Sequence, residues 1–153
     1  MKKTILLFFM MVTVSLGAVA QNKGCDREAK EKEFKEFKIK FLADQLNLKG
    51  DVRQKFNAVY GEYENERRVL FKKKKEIEKS IKNGKKVTEA EYDRANKELN
   101  DIKTQSAALE KTYDEKFSKF LSKEQIFNLK KSEEKFKENM RDLKEKKKKE
   151  QKK

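Results

Sequence analysis

Ile81-Lys82-Asn83-Gly84-Lys85-Lys86-Val87-Thr88-Glu89-Ala90-Glu91-Tyr92 holds the end of one helix and the start of the next. Asn83-Gly84 has the form of a helix stop, since glycine readily takes the left-handed backbone that closes a helix. Thr88 with Glu91 three residues on is a capping box. The Thr hydroxyl accepts one free backbone N–H of the first turn, and the Glu carboxylate reaches back to another. Upstream, from Asp51 to Lys82, Val52, Phe56, Val59, Tyr63, Leu70, Ile77 and Ile81 fall on a heptad stripe, interrupted at Glu66 and at Lys73 and Lys74. Downstream, Tyr92, Ala95, Leu99, Ile102, Leu109, Tyr113 and Phe120 repeat at three and four. Each helix is about 30 residues, near 45 Å at about 1.5 Å per residue. So short a turn between them requires an antiparallel hairpin.

Two further helices flank it. The first is expected from Arg27 to Gln45, with Phe34, Phe37 and Phe41 on one face and Ile39 and Leu42 widening it. It breaks at Asn47-Leu48-Lys49-Gly50, and Asp51 is placed to cap the second helix. The last opens on a second capping box, Ser122 with Gln125, and carries Ile126, Leu129, Phe136, Met140 and Leu143 as its stripe. After Leu143 the apolar signal stops, and residues 144–153 read as a frayed, Lys-rich basic tail. Gly61 inside the second helix costs about 1 kcal/mol against alanine, a cost that a close helix crossing would explain. The expected fold is all-α, four helices around a long central hairpin of helices 2 and 3. One stripe per helix leaves apolar edges uncovered, which points to a dimer or an exposed binding face.

The chain is 44% charged and 35% hydrophobic, with no proline, tryptophan or histidine and a formal net charge of +14. Low hydrophobicity with high charge favours disorder, but the sustained periodicity argues for thin helices sharing narrow seams. The N-terminus reads as a signal peptide. Lys2 and Lys3 precede an uncharged run from Ile5 to Leu16, and Ala18-Val19-Ala20 supplies the small-x-small cleavage pattern. The apolar run is too short for the roughly 20 residues of a membrane span. Cleavage after Ala20 gives a periplasmic protein, with residues 1–20 as leader, 21–143 as the helical domain and 144–153 as the tail. The formal charge then falls by two, from +14 to +12. Asn22-Lys23-Gly24 before Cys25 lacks the small apolar residues of a lipidation site. Cys25 is the only cysteine, so it could form a disulfide only between chains.

Such a charge attracts anionic partners. Export discounts nucleic acid and leaves acidic stretches of unfolded protein or anionic lipid; contact of the tail with an anionic membrane surface would be electrostatic and weakened by salt. Without histidine there is neither a Ser-His-Asp nor a Cys-His arrangement, and no glycine-rich phosphate loop is present. The expectation is a binding protein, not an enzyme, with no cofactor and no metal.

The second junction, Leu121-Ser122-Lys123-Glu124-Gln125, resembles the Leu-Thr-x-x-Gln motif of the Spy/CpxP family of periplasmic chaperones, with Ser122 in place of Thr. The first, Leu48-Lys49-Gly50-Asp51-Val52, is similar to a worn copy that keeps the leucine. The resemblance implies a four-helix chain forming a thin, cradle-like antiparallel homodimer. It also implies an ATP-independent holdase that grips unfolded or partly folded proteins through apolar patches mixed with positive charge. Phe71 and Phe127, each beside a stripe position, and the run Lys72, Lys73, Lys74 and Lys75 are the first candidates for that surface. Alternatives are an envelope-stress regulator binding a sensor's periplasmic domain, or a Skp-like chaperone of outer-membrane proteins. The latter needs strands flanking its hairpin, and neither end of this chain has a strand pattern.

Overall fold

The computed structural model describes residues 23–83 and 86–151, with side chains from residue 28 onward. The leader, the Cys25 side chain and Gly84 lie outside the described residues. Four helices follow one another: α1, Lys23–Gln45; α2, Gly50–Asn83; α3, Glu89–Phe117; and α4, Lys123–Glu150. Among the described residues there is no strand, and no helix is long and apolar enough to cross a membrane. The chain divides into two units, Met1–Lys32 and Glu33–Lys153. Of the first, only the opening turns of α1 are described, and Glu28, Ala29 and Lys30 there are exposed. The second carries the core and both helix junctions.

Both capping boxes form. Thr88 Oγ1 accepts from Glu91 N at 3.3 Å while Thr88 N donates to the Glu91 carboxylate at 2.8 Å. Ser122 Oγ accepts from Gln125 N at 3.1 Å, and Ser122 N donates to Gln125 Oε1 at 2.9 Å. The first junction is built differently. Lys49 stands where Ser122 stands in the second and has no short oxygen to offer. Instead, Asn47 and Gly50 take positive φ, 52° and 53°, and Leu48 is buried with its N–H donating to Ala43 O. Arg53 ties the turn from outside by pairing with Asp44 at 2.7 Å. Asp51 lies in the first turn of α2, where its charge suits the positive helix end.

The α2–α3 hairpin is the most extensive helix pairing. Its antiparallel register is fixed by Phe56 against Phe117, Glu62 with Lys116 and Tyr113 with Glu66. Glu66, which breaks the apolar stripe, accepts the Tyr113 hydroxyl at 2.6 Å, so the break is a hydrogen-bond partner and not a gap. α1 runs antiparallel to α2, with Lys38 opposite Glu64 and Asp44 opposite Arg53. α4 runs antiparallel to α3 through Lys130 and Asp114, at 2.6 Å. One core draws on all four helices: Ile39, Leu42, Ala43 and Leu46; Phe56, Tyr60 and Tyr63; Tyr113 and Phe117; and Leu129. Phe136 is clasped by Phe34, Phe37 and Phe41 at 5.4–6.0 Å between ring centres.

The core is confined to the end of the hairpin that carries both junctions. Beyond Arg67 on α2 and before Leu109 on α3, the described hairpin is a two-helix arm in which Ala95 and Ile102 alone are fully buried. α4 continues as a helix to Glu150, past Leu143 where its apolar stripe ends, so its last turns are helical without a packed face.

A Cβ on Gly61 would meet Ile39 Cδ1 at 3.8 Å, an ordinary contact; close crossing does not require this glycine. Gly61→Ala is therefore expected to raise stability by about 1 kcal/mol, read as a higher urea midpoint at unchanged slope. Gly50→Ala, at φ +53°, should lower it. A lower midpoint for Gly61→Ala would show that α1 and α2 approach more closely than described.

Candidate functional site

Tyr60, Glu64, Arg67 and Phe71 recur on α2 at i, i+4, i+7 and i+11 and so share one helix face. The first three lie under α1 and α4. There the Lys38 ammonium, on a residue only 5% exposed, sits 2.6 Å from Glu64 and 3.9 Å from Glu133. Arg67 lies 3.1 Å from Glu64 and 3.6 Å from Glu133. The Tyr60 hydroxyl donates to Glu133, and Lys38 lies over the rings of Tyr60 and Phe136 at 5.3 and 5.9 Å. Two cations and two carboxylates thus balance in a site where Lys38 is buried and the other three are half-buried. Burial pulls the Lys38 ammonium below its ordinary pKa, against the opposing pull of Glu64 and Glu133. Burial, reinforced by Glu133, pushes Tyr60 well up. Burial pushes Tyr63 up to about 12. Among the described side chains, no buried polar atom lacks a hydrogen-bond partner. This cluster is a clamp on α1 and α4, and the cavity beside it, which Tyr60 and Glu133 help to line, holds only about 10 Å³.

Phe71 is the next residue on that face, and it emerges uncovered at 55% exposure, with the Lys75 ammonium 4.8 Å over its ring. Lys72, Lys73, Lys74 and Lys75 are all exposed, and Lys74 pairs with Glu78 at 3.6 Å. Val69, 54% exposed, and Tyr92, 44%, belong to the same arm. An open cleft of about 320 Å³ near its tip is lined by Ile77, Ile81, Val87 and Ala95 together with Lys86, Arg94, Glu91 and Glu98. Three of the five large apolar side chains exposed among the described residues therefore lie on the arm; Phe34 and Phe127 are the others.

Phe127, 69% exposed on the second turn of α4, is not part of that surface. Measured from the level at which Tyr60 meets Glu133, Phe71 and Phe127 lie in opposite directions, roughly 25 Å apart at about 1.5 Å per residue. The motif residues are structural. Leu48 and Leu121 are buried, and Ser122 and Gln125 are consumed by the cap. Sequence reading missed the Lys38 cluster, although Lys38 lies between Phe34 and Phe41 at helical spacing on an otherwise apolar face. Among the described residues no group of three His, Cys, Asp or Glu could hold a metal ion. Comparison with known proteins gives no match: no family model fits the chain, and no curated protein or solved structure matches it.

Lys38→Met is expected to cost about 3 kcal/mol, the low end for a buried pair, because it leaves two half-buried carboxylates facing one arginine. Adding Glu133→Gln to Lys38→Met should return part of that loss in urea unfolding, and purely additive losses would show that the groups are not coupled. The tyrosines give a pH test. A neutral phenol favoured by the fold means that the native chain binds more protons than the unfolded chain above pH about 10, so this contribution to stability is lost as pH rises toward the folded pKa values. Near pH 11, about one unit above the ordinary tyrosine value, phenolate absorbance should be lower for the native chain than in urea. Equal absorbance would contradict the burial of Tyr60 and Tyr63.

Proposed function

We propose that this chain is an exported, ATP-independent holdase of the Spy/CpxP type, acting as a homodimer in the periplasm and holding non-native proteins on its two-helix arm. The observation that carries the reading is Phe71 on the arm, uncovered and topped by Lys75. An aromatic ring beside an ammonium is an amphipathic grip. It offers apolar area to an unfolded segment while the surrounding lysines draw in acidic ones. Val69, on the other side of α2, and Tyr92 with the shallow cleft toward the tip add separate apolar contacts without enclosing a ligand, which suits binding of many sequences over tight binding of one. Support also comes from the architecture: four helices, a central hairpin, and both junctions at the same end, the second with the cap that the family motif implies.

Mature protein in several-fold excess should suppress aggregation of a chemically denatured protein without ATP. The triple variant V69S/F71S/Y92S should require roughly tenfold more protein or worse for the same suppression, given the apolar contact area removed, while keeping its helicity and urea midpoint. Undiminished aggregation with the native chain would refute the holdase reading. Full activity in the folded triple variant would place the surface elsewhere.

A further inference from the structure

We infer that a basic stripe along one flank of α4 is a docking surface for an anionic membrane. Lys137, Arg141, Lys144 and Lys148 recur at i, i+4, i+7 and i+11, which confines them to an arc of about 60° on a helix of about 3.6 residues per turn. All four are exposed, and none has an ion-pair partner among the described residues. The acids of this stretch, Glu138, Asp142 and Glu145, lie along the adjoining flank and leave the stripe uninterrupted. Met140 and Leu143 are half-buried on another face. The helix carries through Lys148 to Glu150, so the four cations stand on one rigid line of about 16 Å at about 1.5 Å per residue.

That line contrasts with Lys72 to Lys75, which are consecutive and point all round α2, and with Lys130, whose charge is taken up by Asp114 and Glu110. The α4 stripe has no apolar residue to grip a side chain, so its partner must bind by charge alone and present anions densely in a plane. An unfolded polypeptide, with scattered acids between apolar segments, meets neither condition. A bilayer surface rich in anionic headgroups meets both, and clusters of four to eight Lys or Arg on an amphipathic helix read as such sites. Docked this way, α4 would hold the protein at the membrane.

The test is co-sedimentation of the full mature chain with large vesicles, either pure phosphatidylcholine or phosphatidylcholine with about one-third phosphatidylglycerol. Binding is expected only to the anionic vesicles and should fall steeply between low and physiological salt. Each cation near such a surface is worth about fivefold, so K137Q/R141Q/K144Q/K148Q should bind roughly 600-fold more weakly. Glutamine preserves helix propensity, and an unchanged circular dichroism spectrum and aggregation suppression would show that the arm is intact. If the variant fails to fold, protection of Lys137, Lys144 and Lys148 of the native chain from amine labelling by anionic vesicles replaces it. Equal binding to neutral vesicles, no loss in the folded variant, no labelling protection, or equally tight binding to soluble polyglutamate would each overturn the inference.

Discussion

The Lys38 ammonium is buried where α1, α2 and α4 meet, and the packing of these three helices depends on keeping it compensated. Bringing a charge out of water costs several kcal/mol unless opposite charge and hydrogen bonds surround it. Here the compensation comes from different helices: Glu64 on α2 and Glu133 on α4, with Arg67 balancing the second carboxylate. A slip of α1 along α2 by one residue would rotate Lys38 by about 100° away from Glu64. The aromatic clasp of Phe34, Phe37 and Phe41 on Phe136 lies against the same site. It supplies the apolar area that favours docking, whereas the ion cluster specifies which register is docked.

The second constraint is scarcity. With 35% hydrophobic residues, the chain cannot cover four long helices on all their inner faces. It concentrates its large rings, Phe56, Tyr60, Tyr63, Tyr113 and Phe117, into one series of ring contacts at the junction end. Tyr60 and Tyr113 lengthen that series because their hydroxyls end on glutamates, Glu133 and Glu66. The rest of the hairpin is left as a thin seam of Leu70, Ile77, Ile81, Ala95, Leu99 and Ile102, mostly half-buried. A surface able to meet apolar segments of other proteins is thus a consequence of how the core is distributed. Phe71 is exposed because it lies one turn beyond the clamp on the same face of α2.

The hairpin was legible in the sequence because its signals are local. Capping boxes at Thr88 and Ser122 depend on residues three apart, and both form. The Asn47–Gly50 break was legible for the same reason, but not the means by which it closes, since Arg53 reaches back to Asp44 across the turn. Glu66 read as a flaw in a stripe because its partner, Tyr113, is 47 residues away. Lys38 was hidden for a related reason: periodicity counts apolar residues, and a cation on an apolar face has meaning only once its partners from two other helices are known. Phe71 and Phe127 looked equivalent, each one step off a stripe; the packing of α4 beside α2 separates them into different surfaces. The helical state of the last turns of α4 was not legible either. No apolar stripe marks them, and Lys and Glu are good helix formers that need no packing partner to extend a helix already nucleated.

The molecule divides into a clamped four-helix head and an arm that is proposed to meet other proteins. Amide hydrogen exchange, with and without a denatured protein bound, tests that division most directly. Slow exchange is expected in residues 38–64 and 113–136 in both states, with faster exchange in residues 70–82 and 92–106 that slows when the denatured protein binds. Slowing confined to the head, with the arm unchanged, would contradict the division.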